Sequence, residues 1–163
     1  SLWLGANLLT AILAAAAIGI FEATIEKVVA LAILMPIVAS MGGIAGMQSL
    51  ALVIRSQALD QIGSSNSRLL IIKEASIGVL NGILWSSVVA LAVYLWFNSI
   101  FLGIVIASAL MINLIIGAIS GVSLPLILSK LKIDPALAGG VILTTITDIV
   151  GFISLLGIAT LIM

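Results

Sequence analysis

The sequence predicts an all-α polytopic membrane protein: a single transmembrane domain over residues 1–163 with five membrane-spanning helices per chain. Three observations predict it. Of the 163 residues, 63% are hydrophobic and only 7% charged, whereas soluble domains carry about 25% charged residues. Mean hydropathy is +1.46, which leaves too little polar surface to coat a water-soluble globule. The apolar residues also fall into runs long enough to cross a bilayer, which takes roughly 20 residues per helix.

The first span is 2–21. It begins directly after Ser1 and has no basic n-region, so it does not read as a signal peptide. Glu22, Glu26 and Lys27 mark its end. The second span, 28–54, is interrupted by Pro36 and by Gly42, Gly43 and Gly46. Arg55 to Glu74 is the one long polar segment and contains Gly63-Ser64-Ser65-Asn66-Ser67. The third span is 75–97, with Glu74 expected at its N-terminus, where a carboxylate meets the helix dipole favourably. A turn at Asn98-Ser99 leads to the fourth span, 100–129, which carries Pro125. Asp134 then reads as an N-cap with Pro135 at the first helical position, so the fifth span, 136–163, starts there.

Orientation follows from the basic residues. Arg55, Arg68, Lys73, Lys130 and Lys132 fall in the second-to-third and fourth-to-fifth connections, on one side of a five-span protein. Only Lys27 falls on the other side. The N-terminus is therefore expected in the cytoplasm and the C-terminus outside, with Arg55 snorkelling to the cytoplasmic interface. Tyr94, Trp96 and Phe97 form an interfacial anchor at the outer end of span three.

Composition also excludes function classes. The six basic and six acidic residues balance, so nothing points to nucleic acid. There is no His and no Cys, which removes thiolate or imidazole metal sites, Cys or His catalysis and disulfides. No constellation for an intramembrane enzyme is present. Any metal site must be built from oxygen, which favours hard cations.

Within the spans, Asp148 stands out. It is the one acidic residue in the last apolar run, and a carboxylate at membrane depth costs roughly 2.5–3.5 kcal/mol on insertion scales. It needs a cavity, a partner or a bound cation. Helical spacing places Gly140, Thr144, Asp148 and Gly151 on one face with Thr145 beside it, a small and polar stripe suited either to a pore wall or to a buried structural acid. Span two offers a second candidate wall, in which Gly42, Gly43, Gly46 and Gln48 lie near Pro36, Ser40 and Ser49. Loosened backbone at membrane depth is tolerated where it lines a wet cavity or is buried in protein. Gly78/Gly82 and Gly117/Gly121 read as close-packing pairs, and Asn81 and Asn113 as interhelical hydrogen-bond partners. Glu22 and Glu26 share a helix face, either as a solvated end or as acids that concentrate cations at an outer mouth.

These residues carry a resemblance. Met35-Pro36, Met41-Gly42-Gly43-Ile44-Ala45-Gly46-Met47-Gln48 and Val53-Ile54-Arg55 in span two belong to it. So do Phe21-Glu22, Lys73-Glu74 with Gly78, and Asp134-Pro135-Ala136 followed by Thr144-Thr145-Ile146-Thr147-Asp148-Ile149-Val150-Gly151-Phe152. In this order, over essentially the whole chain, the sequence resembles the transmembrane domain of the MgtE family of magnesium channels, and is similar to the eukaryotic solute-carrier magnesium transporters. The resemblance implies a homodimer in the plasma (inner) membrane, with a pore along the dimer interface lined chiefly by the second and fifth spans. It implies Mg²⁺ as the transported ion, with Mn²⁺ or other divalent cations as further candidates, and Asp148 as the residue that binds it. Cytoplasmic regulatory domains, which full-length bacterial members carry, would lie in domains or proteins outside this chain. The chain is then either an excised pore domain or a member with a reduced regulatory part. Where the family commonly has Asn after the Gly-Gly pair, and often after the next Gly, this chain has Ile44 and Met47.

Physical chemistry agrees with that ion. Mg²⁺ dehydrates reluctantly and is usually held through one or two carboxylates with its waters kept. Asp148 from two chains would supply two. Without a cation the two would repel, and one should take up a proton, so occupancy is expected to fall with acidity. Two rival expectations remain: a carrier coupling a divalent cation to Na⁺ or H⁺, hinged at Pro36, Pro125 and the glycines, and a non-conducting membrane scaffold.

Overall fold

The apolar runs fold as helices, and the turns between them are made by residues suited to stopping and starting a helix. The computed structural model of the chain describes residues 2–59 and 67–163. The Gly63-Ser64-Ser65-Asn66 part of the polar segment lies outside the described residues, as does Ser1. In chain order the helices are α1 (Leu2–Gly19), α2 (Glu22–Lys27), α3 (Ala30–Ala58), α4 (Ser67–Phe97), α5 (Ile100–Lys130) and α6 (Pro135–Ile162). Among the described residues, α3, α4, α5 and α6 are long and apolar enough to cross a membrane, and α1 is a shorter apolar helix. With 18 residues, α1 is about 27 Å long at the helical rise.

Helix ends follow their local chemistry. Asn98 sits at φ 49°, a left-handed conformation that Asn tolerates, and Ser99 then accepts a hydrogen bond from Leu102 N as the N-cap of α5. At the other end of α5, Lys132 adopts φ 59°. Ile133 N donates to Leu128 O and Lys132 N to Ser129 O, at 2.9 and 3.1 Å, which closes α5 with a Schellman motif. Asp134 Oδ1 accepts from Ala136 N at 2.9 Å and starts α6 with Pro135 in its first turn.

α5 is the centre. It packs against α3, α4 and α6, while α1 lies at the edge against α6. The core joins Leu31, Leu34 and Val38 of α3, Val105, Ile106, Ala109 and Leu110 of α5, and Leu155, Leu156 and Ala159 of α6. On the outside, Leu8, Leu9 and Leu13 of α1 and Leu80, Leu84, Leu91, Leu95 and Trp96 of α4 are exposed, a surface for lipid rather than water. Trp96 stacks on Phe97, with ring centroids 5.2 Å apart.

Small residues decide how closely the central helices approach. A Cβ on Gly117 would sit 2.7 Å from the Gly42 carbonyl oxygen, and one on Gly46 would sit 2.9 Å from that of Gly117. A Cβ on Gly121 would meet the Gly46 carbonyl and, at 2.9 Å, the Ser49 side chain. The α3 and α5 backbones are thus in direct contact through two interlocked Gly-xxx-Gly pairs, the geometry that small residues permit inside a bilayer. Gly78 and Gly82 do the same for α4 against Ala118 and Met111 of α5. Asn113 is fully buried and donates from Nδ2 to Val38 O at 2.8 Å, the expected interhelical bond. Asn81, also expected to make such a bond, is instead exposed on α4.

Three expectations need correcting. α3 runs unbroken through Pro36 and its glycines, because α5 packs along the glycine face and supports the helix there. Glu22 and Glu26 are not at the end of the first helix; a turn at Ile20-Phe21 places both, exposed, on the separate α2. Glu74 is not at a helix N-terminus. α4 begins at Ser67, before the apolar run, so Glu74 lies two turns inside it, only 8% exposed.

Candidate functional site

The face of α3 opposite α5 is left open. There Ser40, Gly43, Ile44, Met47 and Gln48, with Ala39 and Ala51, form one wall of a groove of about 580 Å³, and Thr144 and Asp148 of α6 form the other. Their spacing along α3 is helical: Ser40, Gly43/Ile44, Met47/Gln48 and Ala51 recur every three or four residues. The groove is therefore one continuous stripe of α3 set against one stripe of α6. The two walls come together at Gly43, where a Cβ would lie in ordinary van der Waals contact with Thr147 Oγ1, at 3.8 Å.

Asp148 lies at the midpoint of α6, half-buried on the groove wall. Among the described residues it has no hydrogen-bond or ion-pair partner. One turn away, Thr144 Oγ1 donates to Gly140 O and Val141 O, at 3.0 and 3.1 Å. Its proton is therefore turned back onto its own helix, and its oxygen lone pairs are free for a cation or for a cation's waters. Thr145 likewise donates to Val141 O at 2.7 Å. Among the described residues no three acidic side chains converge, so a fully dehydrated cation finds no cage here. A hydrated one finds one carboxylate, hydroxyl and amide oxygens at Thr144, Ser40 and Gln48, and room for its shell.

The structure sorts the sequence-derived site residues into two groups. Asp148, Thr144, Gly43 and Gln48 meet at the groove, and Gly140 is close by, 3.5 Å from Met47 if a Cβ is placed on it. Gly42, Gly46 and Gly151 lie elsewhere. Gly42 and Gly46 face α5, and a Cβ on Gly151 would sit 2.8 Å from Asn113 Nδ2. Thr145 is off the groove wall, and Glu22 and Glu26 lie on α2. On α6 the packed stripe is Gly139, Leu143, Thr147, Gly151 and Leu155, one residue out of step with Gly140, Thr144 and Asp148. Ser40 was not singled out from the sequence as a site residue, although its position three residues before Gly43 on the same helical stripe was a sufficient signal. Ile44 and Met47, where the resembling family commonly carries Asn, are on the groove wall and exposed.

Residues 35–158, which include both walls of the groove, match the profile of the MgtE family, described as a divalent cation transporter. The chain is 39% identical over 158 residues to the magnesium transporter MgtE of Bacillus subtilis (strain 168), a match covering 97% of this chain and 35% of that protein. It is 30% identical over 161 residues to the magnesium transporter MgtE of Thermus thermophilus, covering 99% of this chain and 36% of that protein. The chain thus spans about a third of the length of the curated relatives it matches.

Proposed function

The chain belongs to the MgtE family of divalent cation transporters, and on that premise we propose that it forms a channel pore for Mg²⁺. It is a multi-pass membrane protein. In the proposed arrangement α1, α3, α4, α5 and α6 all cross the plasma membrane, with the N-terminus in the cytoplasm and the C-terminus outside. Two chains face each other across the α3–α6 groove. Their Asp148 carboxylates flank a largely hydrated divalent ion on the two-fold axis. Regulatory domains or proteins outside this chain would control opening.

The observation that carries this reading is Asp148 itself. It is a carboxylate at the middle of a membrane-length helix, unpartnered among the described residues, on the wall of an open groove. A second copy of the same face would close the groove, supply the second carboxylate and cover exposed Ile44 and Met47. Two carboxylates balance the charge of a divalent ion, and the hydroxyl and amide oxygens around them suit its water shell. At Ile44 and Met47 the wall offers no oxygen, so the ion keeps its own water there.

A channel needs no second gradient. Purified protein in liposomes is expected to pass Mg²⁺ down its own gradient with no Na⁺ or pH gradient present, and neither gradient should drive Mg²⁺ against its own. Flux that follows the Na⁺ or pH gradient would replace the channel with a coupled carrier. No flux, together with no stabilisation by Mg²⁺, would leave a membrane scaffold.

A further inference from the structure

A second carboxylate inside the helical bundle has no role in the groove. Glu74 of α4 is only 8% exposed, and its Oε2 accepts a hydrogen bond from Ser49 Oγ of α3 at 2.8 Å. Beside it is a half-enclosed pocket of about 120 Å³ between α3, α4 and α5, lined by Glu74, Ser49, Gln48 and Asn81 together with apolar side chains. At a liquid share of about 30 Å³ per molecule, this is room for roughly four waters. Gln48 lines both this pocket and the Asp148 groove. The two spaces share that side chain as a wall. Contacts between Gly43 and Thr147, and between Gly139 and Leu50, set the register of α3 against α6. They place Ser49 and Glu74 roughly 10 Å along the axis from Asp148, toward the end of the bundle that carries Arg55.

A carboxylate enclosed by helices at this depth needs a counter-charge, and among the described residues its partner is a neutral hydroxyl. We propose that Glu74, Ser49, Gln48 and Asn81 form a second divalent-cation site, one in each chain, reached from the Asp148 groove past Gln48. The donor set is one carboxylate, one hydroxyl and two amide carbonyls, all hard oxygens. Ser49 directs its proton to Glu74, so its lone pairs are free to ligate. The pocket is too small for a complete hydration shell beside the protein groups. It does hold the several waters that Mg²⁺ keeps when bound through one carboxylate. An ion leaving the shared Asp148 site toward this end would meet a second well. Conduction is fast when sites are multiple and none binds too tightly. The identity of the ion rests on the proposed function, and the test separates the two.

The purified chain is titrated with Mn²⁺ as the probe, and bound ions are counted from the loss of the free-ion electron paramagnetic resonance signal. Glu74→Gln keeps the size of the side chain and its ability to accept from Ser49. It is expected to lose about one bound ion per chain, whereas Asp148→Asn should lose about one per two chains. If Glu74→Gln binds as many ions as the wild type, the second site is overturned and the Asp148 reading stands. If only Asp148→Asn leaves the count unchanged, the Asp148 reading fails and the Glu74 site remains. Should Glu74→Gln fail to fold, as judged by thermal unfolding, Asn81→Leu decides. Asn81 is exposed on α4, and Leu is similar in size and a better helix former. Its replacement should weaken the per-chain class of sites about tenfold, and unchanged affinity would overturn the proposal.

Discussion

Replacing Asp148 with Asn is expected to reduce Mg²⁺ uptake into proteoliposomes by about two orders of magnitude or more, to the leak of protein-free vesicles. Asn keeps the volume and an amide oxygen but removes the charge. A divalent ion about 5 Å from a carboxylate, with water between, gains on the order of 6 kcal/mol at an effective dielectric of about 20, before any dehydration is counted. Each loss of about 1.4 kcal/mol is tenfold, so losing about half of this gain accounts for the expected fall. Asp148→Glu restores the charge at a slightly different reach and should recover part of the flux. The dimer should persist in both variants, because its proposed contacts include the apolar Ile44 and Met47. Acid should mimic Asn: a protonated carboxyl does not ligate a cation, and protons compete with the ion as pH falls. Apparent Mg²⁺ affinity for transport should therefore decline with acidity in the wild type. Unchanged flux in Asp148→Asn would remove this residue from the transport path.

The second large effect is structural. Gly117→Ala adds one methyl group where it would lie 2.7 Å from the Gly42 carbonyl oxygen, and neither backbone can yield without separating α3 from α5. Overpacking of this kind typically costs about 1–3 kcal/mol, which corresponds to a fall on the order of 5 °C in the thermal unfolding midpoint. Because α3 also forms a wall of the groove, flux should fall with stability. Gly5→Ala is the matched control. Nothing lies within 4 Å of a Cβ there, and Ala is the better helix former, so its midpoint should be unchanged or slightly raised. Equal midpoints for the two variants would contradict the α3–α5 contact described above.

These effects separate what could be read from the residues from what could not. The start of α6 was legible because Asp134-Pro135 carries its own local chemistry, and the structure places the N-cap bond there. Asp148 was legible because charge is conspicuous in an apolar run, and its alignment with Thr144 follows from helical spacing alone. The division of the α3 glycines was not. Gly42, Gly43 and Gly46 look alike in sequence. Only the position of Gly117 and Gly121 on another helix turns Gly42 and Gly46 inward and leaves Gly43 at the groove. Gly151 lies off the groove in this fold for a similar reason: a face of steps four, four and three drifts around the helix, and the last step falls in the packed stripe beside Asn113. Glu74 was placed at a helix end because hydropathy marks where the apolar run begins, whereas the helix begins earlier, through polar residues that favour helix equally well. Its bond to Ser49 joins residues 25 apart in sequence and has no local signature.

The central claim is that Asp148 holds the transported ion between two copies of the chain. Crystals grown with Mn²⁺, which takes the same hard oxygen ligands and scatters anomalously, test it most directly. The account predicts one anomalous peak on the two-fold axis between the α3–α6 grooves, flanked by Asp148 of both chains and separated from them by ordered water. A dimer that buries Asp148 against protein groups, with no peak beside it, would contradict the account.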